Sequence, residues 1–159
     1  MSDPDDIPLL FSTPSRVRKA ELREFLTEIT ERITGGRSIS CLIAGDAELR
    51  RWNKAFRRRD YATDVLSFPA DAANGHAGDV AISIDRARAQ AAEHGHSLSD
   101  ELRILLLHGA LHLAGMDHET DSGEMARAEA RWRKRFGLPA SLIERSRPMR
   151  RSGRENRRG

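Results

Sequence analysis

SLSDELRILLLHGALHLAG, residues 97–115, is apolar on nearly every face of a helix, and it organises the rest of the chain around it. Leu102, Ile104, Leu105, Leu106, Leu107, Leu111 and Leu113 point in all directions around a 3.6-residue period, and a helix with no polar face belongs inside a fold. Ser97 is placed to cap it, with Asp100 three residues on, so the run predicts a buried helix over about 98–114. Gly115 tolerates the left-handed backbone that commonly ends a helix. Histidines carried by such a helix lose their water and need another partner.

Working outward, residues 15–34 carry Val17, Leu22, Phe25, Leu26, Ile29 and Ile33 at helical spacing and end at Gly35-Gly36. SISCLIA (38–44) reads as a strand, and Gly45-Asp46 opens a second helix through about Phe56. DVLSF (64–68) is a strand closed by Pro69, and DVAISI (79–84) another, after a loop at 70–78. Residues 85–94 form a helix ended by Gly95, and a last helix spans about 123–136. Internal repeats are not visible. Strands alternating with helices predict an α/β (α+β) fold, a small mixed β-sheet packed with about five helices. A chain of 159 residues suits one domain, expected over residues 15–143. Ahead of it, residues 1–14 offer a weakly ordered segment or a short strand at Ile7 to Phe11.

The formal net charge of +3 is unevenly spread, because residues 144–159 hold seven arginines against two glutamates. With almost no apolar residue to offset ordering, this arginine-rich tail is expected to be disordered, and it suits a polyanion or simple solubility. A second cationic cluster, Arg50, Arg51, Lys54, Arg57, Arg58 and Arg59, is interleaved with Trp52 and Phe56. On a helix these cations need not share a face, so the cluster alone is weak support for nucleic-acid binding. The single cysteine, Cys41, sits in an apolar run and reads as a small buried hydrophobe. No apolar run approaches the ~18 residues of a membrane span, and MSDPDD is the opposite of a basic secretory leader. A soluble protein of the reducing cytoplasm is expected, with no membrane partner.

HGALHLAGMDH, residues 108–118, carries the chemistry. His108 and His112 are one helical turn apart on one face, and Gly115 lets the chain fold back to bring His118 to the same point. Three imidazoles suit one zinc ion and leave the fourth tetrahedral position open, as catalytic zinc sites do. The same spacing is that of the metzincin proteases, in which a glutamate follows the first histidine as general base; here that position is Gly109. The ligand set survives while the protease reading loses its base. His76, His94 and His96 lie in a predicted loop, at a helix end and in a turn, where structural roles suffice.

Assembled, these residues resemble the YbeY family of zinc-dependent endoribonucleases, bacterial rRNA maturation factors. HGALHLAGMDH resembles the family's HGxLHLxGxDH signature at every fixed position. FRRRDYATDVLSFP (56–69) and GDVAI (78–82) match two further family elements in the right order. The resemblance spans about residues 46–136 and does not reach the arginine-rich tail. It implies that His108, His112 and His118 bind one zinc ion and that Arg57 corresponds to the family's functional arginine. Arg58 stands where the family usually has glycine, which makes the segment more basic and less permissive. It further implies single-stranded RNA as substrate, 16S rRNA 3′-end processing and ribosome quality control, and partnership with the ribosome or small-subunit assembly factors.

On this reading zinc would lower the pKa of a bound water and polarise a phosphoryl oxygen, while the Arg57 guanidinium steadies transition-state charge. Its plainer reading is a surface ion pair with Asp60. The general base stays open among Asp117, zinc-activated water and a route in which the ribose 2′-hydroxyl attacks. Asp64 and Asp79 precede strands and suit backbone anchoring. Two rivals share features of the chain: a metalloprotease with the three ligands, and a non-catalytic ribosome-assembly factor with structural zinc.

Overall fold

The computed structural model describes residues 9–12, 18–61, 63–71 and 75–146. Four strands, β1 (Leu9–Phe11), β2 (Ser38–Ala44), β3 (Val65–Pro69) and β4 (His76–Ser83), form one sheet in the order β1-β2-β4-β3. β1, β2 and β4 run parallel, and β3 pairs antiparallel with β4 at the edge. Of the Ile7 to Phe11 segment, the described part, Leu9–Phe11, is therefore a strand, with Leu9 opposite Cys41 and Phe11 opposite Ile43. Pro69 ends β3 on the edge, where a missing N–H donor costs no interior ladder bond.

Period-two alternation sends Ile39, Cys41, Ile43, Val80 and Ile82 to one face of the sheet and Leu42, Ala44, Leu66 and Ala81 to the other. Helix α1 (Lys19–Arg32) buries Leu22, Phe25, Leu26 and Ile29 on the first face. The predicted start at residue 15 lies among residues outside those described. Helix α4 (Leu98–Leu113) crosses the same face, capped by the Ser97 hydroxyl, which accepts from the Asp100 N–H at 3.0 Å. Leu102, Ile104, Leu105, Leu106 and Leu107 are fully buried along it, each stabilising the fold by about 2 kcal/mol. Helix α2 (Asp46–Arg57) covers part of the second face through Leu49 and Trp52. Helix α3 (Ile84–His94) begins at Ser83, whose hydroxyl accepts from the Arg86 N–H, and ends at Gly95 in the left-handed region. Burial pushes the Cys41 thiol up to about 12, which keeps it a protonated small hydrophobe.

Two expectations are corrected. β4 starts at His76, so this histidine lies in a strand and not in a loop; its ring bonds Ser38 Oγ at 2.6 Å and Asp79 Oδ1 at 3.1 Å. After α5 (Glu124–Arg135) comes a sixth helix, α6 (Leu142–Ser146), in place of the expected start of the tail. Glu144 and Arg145 are held there by charge-assisted bonds that charge counting along the sequence does not reveal. Arg145 grips buried Glu101 at 2.7 and 2.9 Å, and Glu144 accepts from Arg133 at 2.9 and 3.2 Å. The rest of the tail, residues 147–159, lies outside the described residues.

Candidate metal centre

His108 and His112 project from the last two turns of α4, and the loop after it returns His118. The return is made by Gly115, at φ +100°, and by the Met116 N–H, which donates to the Leu111 carbonyl at 3.1 Å. Asp117 then closes a turn: its carbonyl accepts from the Thr120 and Asp121 N–H groups at 3.2 and 3.1 Å. Asp121 holds the far end by accepting from the Gly123 and Met125 N–H groups at the start of α5. These backbone bonds keep its carboxyl below the usual range.

One ring nitrogen from each of the three histidines lies within 4.8 Å of the others, and the ring centroids are 4.9, 5.1 and 5.3 Å apart. Among the described residues this is the group able to hold a metal ion. The partners of the other ring nitrogens support that fit. His112 Nδ1 donates to the Met116 carbonyl at 2.9 Å, which leaves the lone pair on Nε2. His108 Nδ1 bonds Glu129 Oε2 at 2.7 Å in a buried contact, which likewise turns Nε2 to the cluster. Burial, followed by the neighbouring His108 and His118, lowers the pKa of His112 and favours the neutral ring a metal requires.

Glu129 was not found from the sequence. It sits one helix away on α5, and its only sequence signal was a carboxylate on the apolar face of that helix. Its second oxygen accepts from the Ile143 N–H of α6 at 2.7 Å, so one buried carboxylate ties the centre to the C-terminal helix. Asp117 lines the cavity, but its side chain accepts from the Glu119 N–H at 3.1 Å, and His108 and His112 are held instead by the Glu129 carboxylate and the Met116 carbonyl.

Gly109 faces the sheet. A Cβ there would stand 2.7 Å from Val80 Cγ1, closer than real contacts allow, and a tight 3.1 Å from Ser67 Oγ. The Ser67 hydroxyl donates to the Gly109 carbonyl at 3.1 Å, which draws helix and strand together. Glycine is therefore required for packing, and a glutamate at this position would drive into β4.

Arg57 ends α2, and Arg58 adopts the left-handed conformation at φ 58°, the only non-glycine residue with positive φ among those described. This turn directs Arg57 and Arg59 to the rim of a cavity of about 600 Å³ whose floor holds all three histidines. Buried Asn53 and the backbone of Tyr61 brace the same wall, with Asn53 Nδ2 donating to the Tyr61 carbonyl at 3.0 Å. Asp60 pairs with Arg50 at 2.8 Å and with Lys54 at 3.9 Å, so the carboxylate that the plainer reading of Arg57 invoked is engaged by other cations. His94 and His96 stack on each other away from the cluster, and His96 bonds Glu101 at 2.6 Å. Asp64 lines the cavity and its carbonyl accepts from the Ser83 N–H at 2.9 Å, an anchoring role for the backbone.

Comparison with known proteins agrees with this arrangement. The family model described as endoribonuclease YbeY matches residues 12–137. The endoribonuclease YbeY of Solibacter usitatus is 49% identical over 146 residues, covering 91% of this chain and 98% of the relative. That of Koribacter versatilis is 52% identical over 130 residues, covering 82% and 85%. The solution structure of TM1509 from Thermotoga maritima is similar with a TM-score of 0.56 at 27% identity, over 78% of this chain and 84% of that one. With the family match running from the end of β1 past the last turn of α5, the chain that carries this histidine cluster belongs to the YbeY endoribonuclease family.

Proposed function

We propose that this chain is a metal-dependent endoribonuclease that cuts single-stranded RNA, with His108, His112 and His118 holding one zinc ion and Arg57 binding the scissile phosphate. The observation that carries the reading is that Arg57 and the three histidines line one cavity, although they come from different elements. Zinc bound there would supply Lewis-acid chemistry at a phosphate and activation of water. The protein's own part is to orient. Glu129 and the Met116 carbonyl engage Nδ1 of two imidazoles and so turn Nε2 of each toward the cluster. The Arg57 guanidinium fork matches two phosphate oxygens and stabilises charge developing there. Asp117, at the cavity wall, is one candidate to take the proton; on the alternative route the RNA's own ribose 2′-hydroxyl attacks and gives up its proton to water activated in the cavity.

The family membership supports a role in rRNA maturation, and we extend the reading to 16S rRNA 3′-end processing in the cytoplasm beside small-subunit assembly factors. The folded unit proposed to carry it runs from β1 to α6, with the arginine-rich segment beyond it as a polyanion contact. No described helix is long and apolar enough to cross a membrane. The packing demand at Gly109 argues against a protease, since no carboxylate fits beside the first histidine.

Metal analysis of purified protein, paired with cleavage of single-stranded RNA, tests the proposal. One zinc per chain and RNA cleavage are expected from the wild type, with both lost in a folded His112→Ala variant. A wild type that binds zinc and RNA yet leaves the RNA intact supports the non-catalytic assembly factor instead. Product ends discriminate the nucleophile: a 2′,3′-cyclic phosphate means the ribose attacked, and a 5′-phosphate means water did.

A further inference from the structure

On the second face of the sheet, α2 leaves a groove of about 1020 Å³ uncovered. Its floor is a cross-strand row in which Leu10 pairs Leu42 and Leu42 pairs Ala81, followed by a second row with Asp79 opposite Phe68. Trp52 and Phe56 of α2 stand over it, and Phe56 meets Phe68 edge-on at 5.3 Å. Leu10 and Phe56 are 62% and 69% exposed, a large apolar outlay for a surface otherwise rich in charge.

The groove joins the metal cavity. Arg57, Arg59, Ser67 and Pro69 line both, so the two are continuous across the end of β3, with two guanidinium groups at the junction. Cations at the rim and aromatic rings over the floor are the two components of a single-strand binding path: phosphates track the cations while bases lie on the rings. Asp79, the carboxylate in the floor, repels phosphate and so favours bases over backbone at that point. The same charge argument disfavours this chain's own arginine-rich segment as the occupant, because Arg57 and Arg59 would repel it.

We propose that this groove is a base-stacking subsite that takes the nucleotides flanking the scissile bond as the RNA strand leaves the metal cavity. The inference rests on the endoribonuclease reading and adds where the rest of the substrate goes.

The test uses the full chain carrying Trp132→Phe, which leaves Trp52 as the sole tryptophan. A single-stranded RNA of about twelve nucleotides should quench Trp52 emission on binding, whereas polyphosphate, with charge but no bases, should not. Phe56→Ala removes an exposed ring and leaves the core untouched. It should raise KM for that RNA roughly tenfold, the size of one base–aromatic stack, with kcat little changed and a much smaller effect on a dinucleotide. The subsite is overturned if the RNA binds by anisotropy while Trp52 emission stays fixed, or if Phe56→Ala affects long and short RNA equally. Either result removes the subsite while leaving the nuclease reading intact. Failure of the wild type to bind or cut RNA at all removes the endoribonuclease reading itself, and the subsite with it.

Discussion

Glu129 accepts from Nδ1 of His108 through one carboxylate oxygen and from the Ile143 N–H through the other, each at 2.7 Å, with no exposure to solvent. A single buried side chain thus sets the orientation of the deepest histidine and the seat of α6. Residues 142 and 143 of that helix also line the metal cavity, so its docking shapes the site as well as the fold.

Truncation of this carboxylate, Glu129→Ala, should weaken zinc binding about 10- to 100-fold, the usual effect of removing a partner that orients a ligand. Competition against a chromophoric chelator reads this directly. Unaltered affinity in a folded variant would show that His108 needs no help in facing the ion.

Arg57→Lys conserves charge but loses the planar fork. RNA cleavage should fall roughly a hundredfold, with zinc content and melting temperature unchanged. Turnover equal to wild type would remove Arg57 from phosphate binding.

Arg58 holds a left-handed backbone that costs a non-glycine residue about 1 kcal/mol. Arg58→Gly should therefore stabilise the chain by up to that amount, since the Arg58 N–H still bonds the Lys54 carbonyl at 3.1 Å. Chemical denaturation measures the shift; a loss of stability would mean the arginine side chain contributes more than the strain it causes.

Adding one methyl at Gly109 brings it 2.7 Å from Val80 Cγ1. Gly109→Ala gains about 1 kcal/mol of helix propensity but forces α4 off the sheet, with a typical overpacking cost of about 1–3 kcal/mol. The net outcome expected in thermal melts is destabilisation. A more stable variant would show that Val80 can move aside.

Acid should release α6 before the rest of the fold. The Arg133 bond, against the opposing effect of burial, holds the Glu144 carboxyl at about 2, below its ordinary 4.5. Burial alone would raise Glu101, but Arg145 and His96 outweigh it and hold it low as well. A carboxyl with a depressed folded-state pKa contributes stability that is present above about pH 4.5 and is lost as pH falls through the folded value. Amide protection at residues 141–146, taken relative to the intrinsic exchange rate at each pH, should thus fall between about pH 4.5 and 2, ahead of α4. Simultaneous exchange in both helices would show that α6 is not a separate unit.

Much of the architecture was legible because it depends on neighbours in sequence. The all-round apolar pattern of residues 97–115 predicted a buried helix, and α4 is that helix. Ser38 to Ala44 alternated as a strand and forms one with the same bounds. The start of β4 was missed because HAGD, residues 76–79, carries turn formers; Gly78, at φ +147°, is needed there, where a Cβ would collide with the Phe68 carbonyl. α6 was missed because its sequence looks like charged tail, and only the buried Glu101 opposite Arg145 makes it a docked helix.

What the sequence determined by itself is local: one turn of helix puts His108 and His112 on a common face, and a glycine three residues later permits the chain to bring back a third imidazole. Tertiary structure decided everything that links elements distant along the chain. It matched Glu129 to His108, pressed Gly109 against Val80, took Asp60 away from Arg57 and opened Arg57 onto the histidines. The physical reason is range. Helical periodicity acts over a few residues and is written in spacing, whereas the partner of a buried charge is set by how sheet and helices pack.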